Sequence, residues 1–162
     1  MLFRSQGDPS GNCNCTPAQV QRYRAKISGP LLDRIDMHVE VPRVEVDEFD
    51  EAVDRGESTS SAAARVVRAR QVQLTRQGIC NARLANSQIE RWCRLDRAGR
   101  NILDRSMKKL GLSARTRGRV LKLARTIADV DEDEIISALH VSQAIMLRSL
   151  DRTRTEGAGD SD

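Results

Sequence analysis

The sequence predicts a mainly α protein: a helical bundle over residues 61–150, preceded by one helix and one orphan strand. Three observations carry this. Aromatic residues are 2% of the chain against 39% hydrophobic in all, so the core is built from Leu, Ile, Val and Ala, which suits packed helices better than a sandwich or barrel. After residue 60 the apolar residues recur at helical spacing between capping residues. Only Met37 to Val41 alternates apolar and polar at the strand period.

The bulk properties set limits. At 162 residues there is room for one ordinary domain, or for part of a larger one with a small helical domain attached. Lys and Arg number 27 against 23 Asp and Glu, a net charge of +4, which allows a nucleotide or nucleic-acid partner without demanding one. The cations are mostly arginine, suited to bidentate phosphate or carboxylate contacts. No apolar run approaches the roughly 18 residues of a membrane span. Met1-Leu2-Phe3-Arg4-Ser5 lacks the apolar centre of a signal peptide. A cytoplasmic protein with no membrane partner is expected, and the four cysteines do not form the pattern of a secreted disulfide scaffold.

Taken in order, residues 1–15 read as loop: Gln6 to Asn12 are turn formers, followed by Cys13-Asn14-Cys15. Thr16-Pro17 supplies an N-cap and a proline at the first helical position, opening a helix from Pro17 to Ile27 that Gly29-Pro30 stops. Leu31-Leu32 then turns to present Arg34 between Asp33 and Asp36, and Met37 to Val41 forms the strand, closed by Pro42. A lone strand cannot satisfy its own backbone. It requires a sheet that no other stretch provides, so the chain is expected to be the end of something longer. Residues 46–60 turn acidic and then small and polar, a linker.

The bundle follows. Ser61 to Gln77 is a helix with Ala63, Val66, Val67 and Leu74 as its apolar side and Arg65, Arg68 and Arg76 along another, read as a solvated face rather than one facing DNA. Ser87-Gln88-Ile89-Glu90 reads as a capping box opening a short helix. Asp96 caps the next, which ends at Lys108-Lys109 and Gly111. Ser113 starts another, with Val120, Leu121, Ala124 and Ile127 inward and Arg115, Arg117, Arg119 and Lys122 outward. Asp129 to Glu134 reads as a solvated acidic turn, Ser137 caps a last helix, and residues 151–162 form a polar tail expected to be disordered.

The chemistry these residues offer alone is limited. A phosphate-binding loop requires G-x-x-x-x-G-K-[ST], and no glycine here precedes Lys-Ser or Lys-Thr. Nor does a strand end in paired acids for magnesium. The chain is not expected to be an active enzyme by itself. Spacing alone favours Arg34 as a surface partner of Asp33 or Asp36 and does not choose among Arg115, Arg117 and Arg119. His38 and His140 read as structural or surface residues, and Cys80 and Cys93 as packing cysteines.

Longer motifs carry more information. The run from Cys13 to Pro42, with Cys-x-Cys-Thr-Pro-x-x-Val-x-x-Tyr-Arg, Ile-Ser-Gly-Pro-Leu-Leu-Asp-Arg-Ile-Asp and His-Val-Glu-Val-Pro, resembles the ComM/YifB group of magnesium-chelatase-like AAA+ ATPases. So do Arg76-Gln77-Gly78, Asn81-Ala82, Leu110-Gly111-Leu112-Ser113-Ala114-Arg115 and Ala124-Arg125-Thr126-Ile127-Ala128-Asp129. The resemblance implies that residues 16–45 are the C-terminal remnant of an AAA+ core and residues 61–150 its helical lid, of the magnesium-chelatase C-terminal type. By this resemblance Arg34 is a trans-acting arginine finger and Arg115 a sensor 2 arginine contacting nucleotide phosphate. The complete protein would use ATP and Mg, neither expected to bind this chain tightly, and would remodel DNA by branch migration in natural transformation. Its partners would be the missing AAA+ core or neighbouring subunits of a ring, a hexamer by analogy. Family members carry a further Cys-Pro-Cys-Gly-Tyr segment where this chain has Met1 to Gln6. Cys13 and Cys15 are therefore half a thiolate site, and zinc is not expected. The rival expectation is a free-standing helical DNA-binding or protein-interaction module without ATPase activity.

Overall fold

A computed structural model describes residues 16–24, 26, 31, 34–39, 41 and 56–148. They fall into two units: one contains the described residues up to Ile35 together with Val39 and Val41, the other Asp36–His38 and everything from Gly56. The described structure is mainly helical, with no strand among the described residues.

In the first unit, helix α1 spans Pro17–Arg24. Its start is capped reciprocally: Thr16 Oγ1 accepts the Gln19 N–H at 3.3 Å and Gln19 Oε1 accepts the Thr16 N–H at 2.9 Å, so two amides with no helical partner are satisfied. Lys26 already lies in a turn, and the expected end at Ile27 is outside the described residues.

The second unit is the bundle. Helix α2 spans Thr59–Gln77, two residues longer at its start than expected, because Ser58 is the N-cap and accepts the Ser61 N–H at 3.2 Å. It ends at Gly78, whose φ of 75° lies in the left-handed region that glycine enters without strain, and whose N–H donates to the Leu74 carbonyl at 2.9 Å. A 3-10 turn at Asn81–Arg83 leads to α3 at Asn86–Trp92. The N-cap of α3 is Ala85 rather than Ser87. Alanine has no side-chain acceptor, so only half of a capping box forms: Gln88 Oε1 accepts the Ala85 N–H at 2.9 Å.

Helix α4 (Arg97–Lys109) is capped by Asp96, whose carboxylate accepts the Gly99 N–H at 2.5 Å. Helix α5 (Ala114–Val130) is capped by Ser113, accepting the Thr116 N–H at 3.2 Å, and α6 spans Ala138–Met146. At the start of α6 a histidine replaces the usual Glu or Gln of a capping box: His140 Nδ1 accepts the Ser137 N–H at 3.1 Å. A single parallel bridge, Leu95 to Ile136, ties the approach to α4 to the approach to α6 through Asp96 N–H to Ile136 O and Ile136 N–H to Arg94 O, each 3.0 Å.

Helix α5 is the centre. It packs against α2, the 3-10 turn, α3 and α6, while α6 also packs on α4. Val120, Ala124 and Ala128 are fully buried, together with Leu103 of α4 and Val141 and Ala144 of α6. Each large aliphatic side chain buried this way contributes about 1.5–3 kcal/mol.

The orientation of α2 differs from the apolar face expected for it. Its buried residues are Ala69 and Gln73, whereas Val66 and Val67 are 61% and 66% exposed. Hydrogen bonds decide its facing: Gln73 Oε1 accepts the Asn81 N–H at 3.0 Å, and Arg76 turns inward to a buried carboxylate. The alternating stretch Met37 to Val41 has no ladder among its described residues. Its His38 N–H donates instead to the Leu147 carbonyl at 2.6 Å, just beyond α6.

Candidate functional site

Arg34 lies in the first unit, exposed, in a turn in which its N–H donates to the Leu31 carbonyl at 2.9 Å. Asp36, one of the two carboxylates flanking it in sequence, is engaged elsewhere: it pairs with Arg119 of α5, and its carbonyl accepts from Arg148 Nη1 at 3.1 Å. Arg148 is itself buried at 2% exposure. Asp33, Cys13 and Cys15 lie outside the described residues.

Arg115 occupies the first turn of α5, one residue after its first helical position, and is exposed. Its neighbours on the helix are committed to carboxylates: Arg117 Nη1 reaches Glu90 at 3.0 Å and Arg119 reaches Asp36. The three arginines that spacing left equivalent are thus distinguished by their partners. Arg34 and Arg115 fall in different units.

The bundle behind Arg115 holds a buried polar network. Asp129, expected in a solvated turn, lies inside α5 at 2% exposure. Its Oδ1 accepts from Arg76 Nη1 at 2.5 Å and from Arg125 Nε at 3.0 Å, and its Oδ2 from Asn81 Nδ2 at 2.7 Å and Arg76 Nη2 at 3.0 Å. Arg125, 1% exposed, also donates to the carbonyls of Glu134, at 2.5 Å, and Asp133. Burial lowers the Arg125 pKa from its usual value and Asp129 acts against that shift. A charge this deep is tolerated only when it is paired and fully hydrogen-bonded, and here one carboxylate serves two guanidiniums and an amide. The acids that do face solvent begin after it; Asp131 and Asp133 approach His140 Nε2 at 3.4 and 3.3 Å. With Nδ1 accepting from Ser137, the proton of His140 belongs on Nε2, facing those carboxylates.

Among the described residues no group of three or more His, Cys, Asp and Glu is placed to hold a metal ion. No described helix is long and apolar enough to cross a membrane. A groove of about 510 Å³ lies between α2 and the turn after α5, bounded by Arg68, Val72, Arg76, Glu132 and Glu134. An Arg68–Glu132 pair at 3.4 Å bridges it.

With this geometry in hand, comparison with known proteins is decisive. The family model described as magnesium chelatase, subunit ChlI C-terminal, matches residues 56–148, the bundle itself. The chain belongs to the magnesium chelatase ChlI family. A second model, magnesium chelatase, subunit ChlI, matches residues 4–49. Among relatives, the protein named uncharacterized protein YifB of Escherichia coli is 40% identical over 147 residues, and competence protein ComM of Haemophilus influenzae is 37% identical over 147; each match covers 90% of this chain and 29% of the relative. Uncharacterized protein Rv2897c of Mycobacterium tuberculosis is 35% identical over 150 residues, covering 84% of this chain and 28% of the relative. The chain is of the ComM/YifB type and spans less than a third of the length of these relatives.

The family motifs coincide with the buried network. Arg76-Gln77-Gly78, Asn81-Ala82 and the run from Ala124 to Asp129 supply Arg76, Asn81, Arg125 and Asp129. Sequence reasoning used those motifs for the resemblance and missed what they build, although three polar residues recurring inside helical apolar patterns were the available signal.

Proposed function

We propose that this chain supplies one arginine to each of two ATP sites whose phosphate-binding loops lie outside these 162 residues: Arg34 as a trans-acting finger for a neighbouring subunit's site and Arg115 as the sensor 2 contact in its own. The observation that carries this is the difference among the α5 arginines. Arg117 and Arg119 are bound to carboxylates, while Arg115 stands exposed in the first turn of its helix, where amide N–H groups and the helix dipole favour a phosphate. ATP and magnesium supply the phosphoryl chemistry when bound at such a site; this chain's part is to place positive charge. An arginine finger supplied in trans raises turnover by about 10³–10⁵ by neutralising charge on the transferring group.

The work coupled to that hydrolysis is read as DNA remodelling by a ring, hexameric by analogy, in which the bundle acts as the lid. One of its relatives is named a competence protein, which supports a role near DNA uptake. The buried Asp129 network supports a lid that moves as one body, since it locks α2, the 3-10 turn and α5 together.

The test is complementation. The chain alone should show no ATP hydrolysis above background. Mixed with a family member that carries the phosphate-binding loop but has lost its own finger arginine, it should restore hydrolysis. Robust hydrolysis by the chain alone would refute the proposal.

A further inference from the structure

Six arginines of the bundle pair with carboxylates: Arg65 with Glu57, Arg68 with Glu132, Arg76 and Arg125 with Asp129, Arg117 with Glu90 and Arg119 with Asp36, while Arg70, Arg83, Arg91, Arg94 and Arg115, scattered over several elements, have no such pair among the described residues. Helix α4 is different. Arg97, Arg100, Arg105, Lys108 and Lys109 are all exposed, and none forms an ion pair with a described residue. At 100° per residue Arg97, Arg105, Lys108 and Lys109 fall on the outward half of the helix, opposite the buried Gly99 and Leu103, and Arg100 lies on its flank. Asp104 is the one acid among them.

Helix stability does not explain the arrangement. Lys108 and Lys109 suit the last turn, where cations meet the negative end of the dipole. Arg97 and Arg100 sit in the first turn, where the nearest acid, the N-cap Asp96, is engaged with the Gly99 N–H, and there they oppose the dipole. A local rule broken at a surface without a compensating contact points to an external partner.

We infer that the outward face of α4 is a docking surface for the phosphate backbone of duplex DNA. Three features select this partner. The helix is 13 residues long, about 20 Å, a span over which a duplex presents roughly a dozen phosphates. No large apolar side chain is exposed on α4, so the anchors that an interfacial membrane helix or a protein hot spot needs are lacking. Trp92, the aromatic nearest in sequence, packs against the core with Arg91 over its ring at 4.5 Å, which removes the stacking platform expected of a single-strand binder. Contacts of this kind fix position without reading sequence. The inference takes DNA from the proposed function above, but its test needs neither ATP nor a second protein.

The experiment uses the full 162-residue chain and a fluorescently labelled duplex of about 25 base pairs, with anisotropy titrations between 50 and 200 mM salt. Binding should be independent of sequence. In R97Q/R100Q/R105Q the slope of log affinity against log salt should flatten by about 3, from roughly 0.9 per phosphate contact, and low-salt affinity should fall at least about tenfold. The charge-matched α2 variant R65Q/R68Q/R70Q should bind as wild type. D104N, which removes the acid from the face, should bind more tightly. Gln keeps helix propensity, and an unchanged circular dichroism melt establishes that each variant is folded. K108Q/K109Q provides a second, smaller perturbation in the same direction. Equal losses in the α2 and α4 variants, no response to D104N, or equally tight binding to vesicles of anionic phospholipid would overturn the inference. Arg34→Ala should leave DNA binding intact, so failure of ATPase complementation and failure of this inference are separable results.

Discussion

The Arg76 guanidinium and the Asp129 carboxylate meet at 2.5 Å across 53 residues of sequence, joining the last turn of α2 to the last turn of α5. Asp129 is the only counter-charge in reach of both Arg76 and Arg125 among the described pairs. Replacing it by Asn should leave two guanidiniums facing each other in the interior, at a cost of about 3–5 kcal/mol. Arg76→Ala should cost less, because the Arg76 side chain is 22% exposed and that of Arg125 is 1%, so Asp129 keeps its deeper partner. Urea unfolding followed by circular dichroism should rank wild type above R76A above D129N.

Much of this bundle was legible in the sequence. Asp96, Ser113 and Ser137 are N-caps as expected, and Val120, Leu121 and Ala124 lie in the core as helical spacing assigned them. Periodicity failed for α2, where apolar spacing selected Val66 and Val67 although the helix docks through Gln73 and Arg76. A hydrophobicity pattern cannot see a helix held by hydrogen bonds. Asp129 was misread for a related reason: four further acids follow it by Glu134, and composition averaged them into one solvated segment. Which α5 arginine is exposed depended on Glu90 and Asp36, 27 and 83 residues away from their partners, and spacing along one helix carries no such information.

Burial raises the Cys93 thiol from 9.0 to about 11. Because the folded value is the higher, the neutral thiol favours the folded state fully below pH 9, and that contribution is lost as pH rises from 9 towards 11. Its full size is about 2–3 kcal/mol. Stability measured from pH 8 to 11 should therefore fall more steeply in wild type than in Cys93→Ala. At pH 8 a maleimide probe should label the half-exposed Cys80 well before Cys93.

Two glycines inside helices should respond oppositely to alanine. A Cβ on Gly99 would lie 3.0 Å from Asp96 Oδ1 and 3.3 Å from the Ser137 carbonyl group. Neither neighbour can yield freely, since Asp96 caps α4 and the Ile136 bridge fixes the Ser137 backbone. Gly99→Ala should destabilise by about 1–3 kcal/mol. A Cβ on Gly118 meets Ile89 Cδ1 at 3.2 Å, the end of a flexible side chain, and a helical Gly→Ala change recovers up to about 1 kcal/mol. Gly118→Ala should be neutral or slightly stabilising in the same thermal melt.

The proposed function requires Arg34 to act on a phosphate held by a neighbouring subunit. The direct measurement is steady-state ATP hydrolysis by a fixed amount of a family member that has the phosphate-binding loop but lacks its own finger arginine, titrated with this chain. Wild-type chain should raise kcat saturably, by about 10³-fold or more for a finger in trans. Arg34→Ala should abolish the increase, and Arg34→Lys should restore only a small part of it, since a point charge cannot reproduce a bidentate fork. Equal stimulation by wild-type and Arg34→Ala chains would rule out the finger role of Arg34.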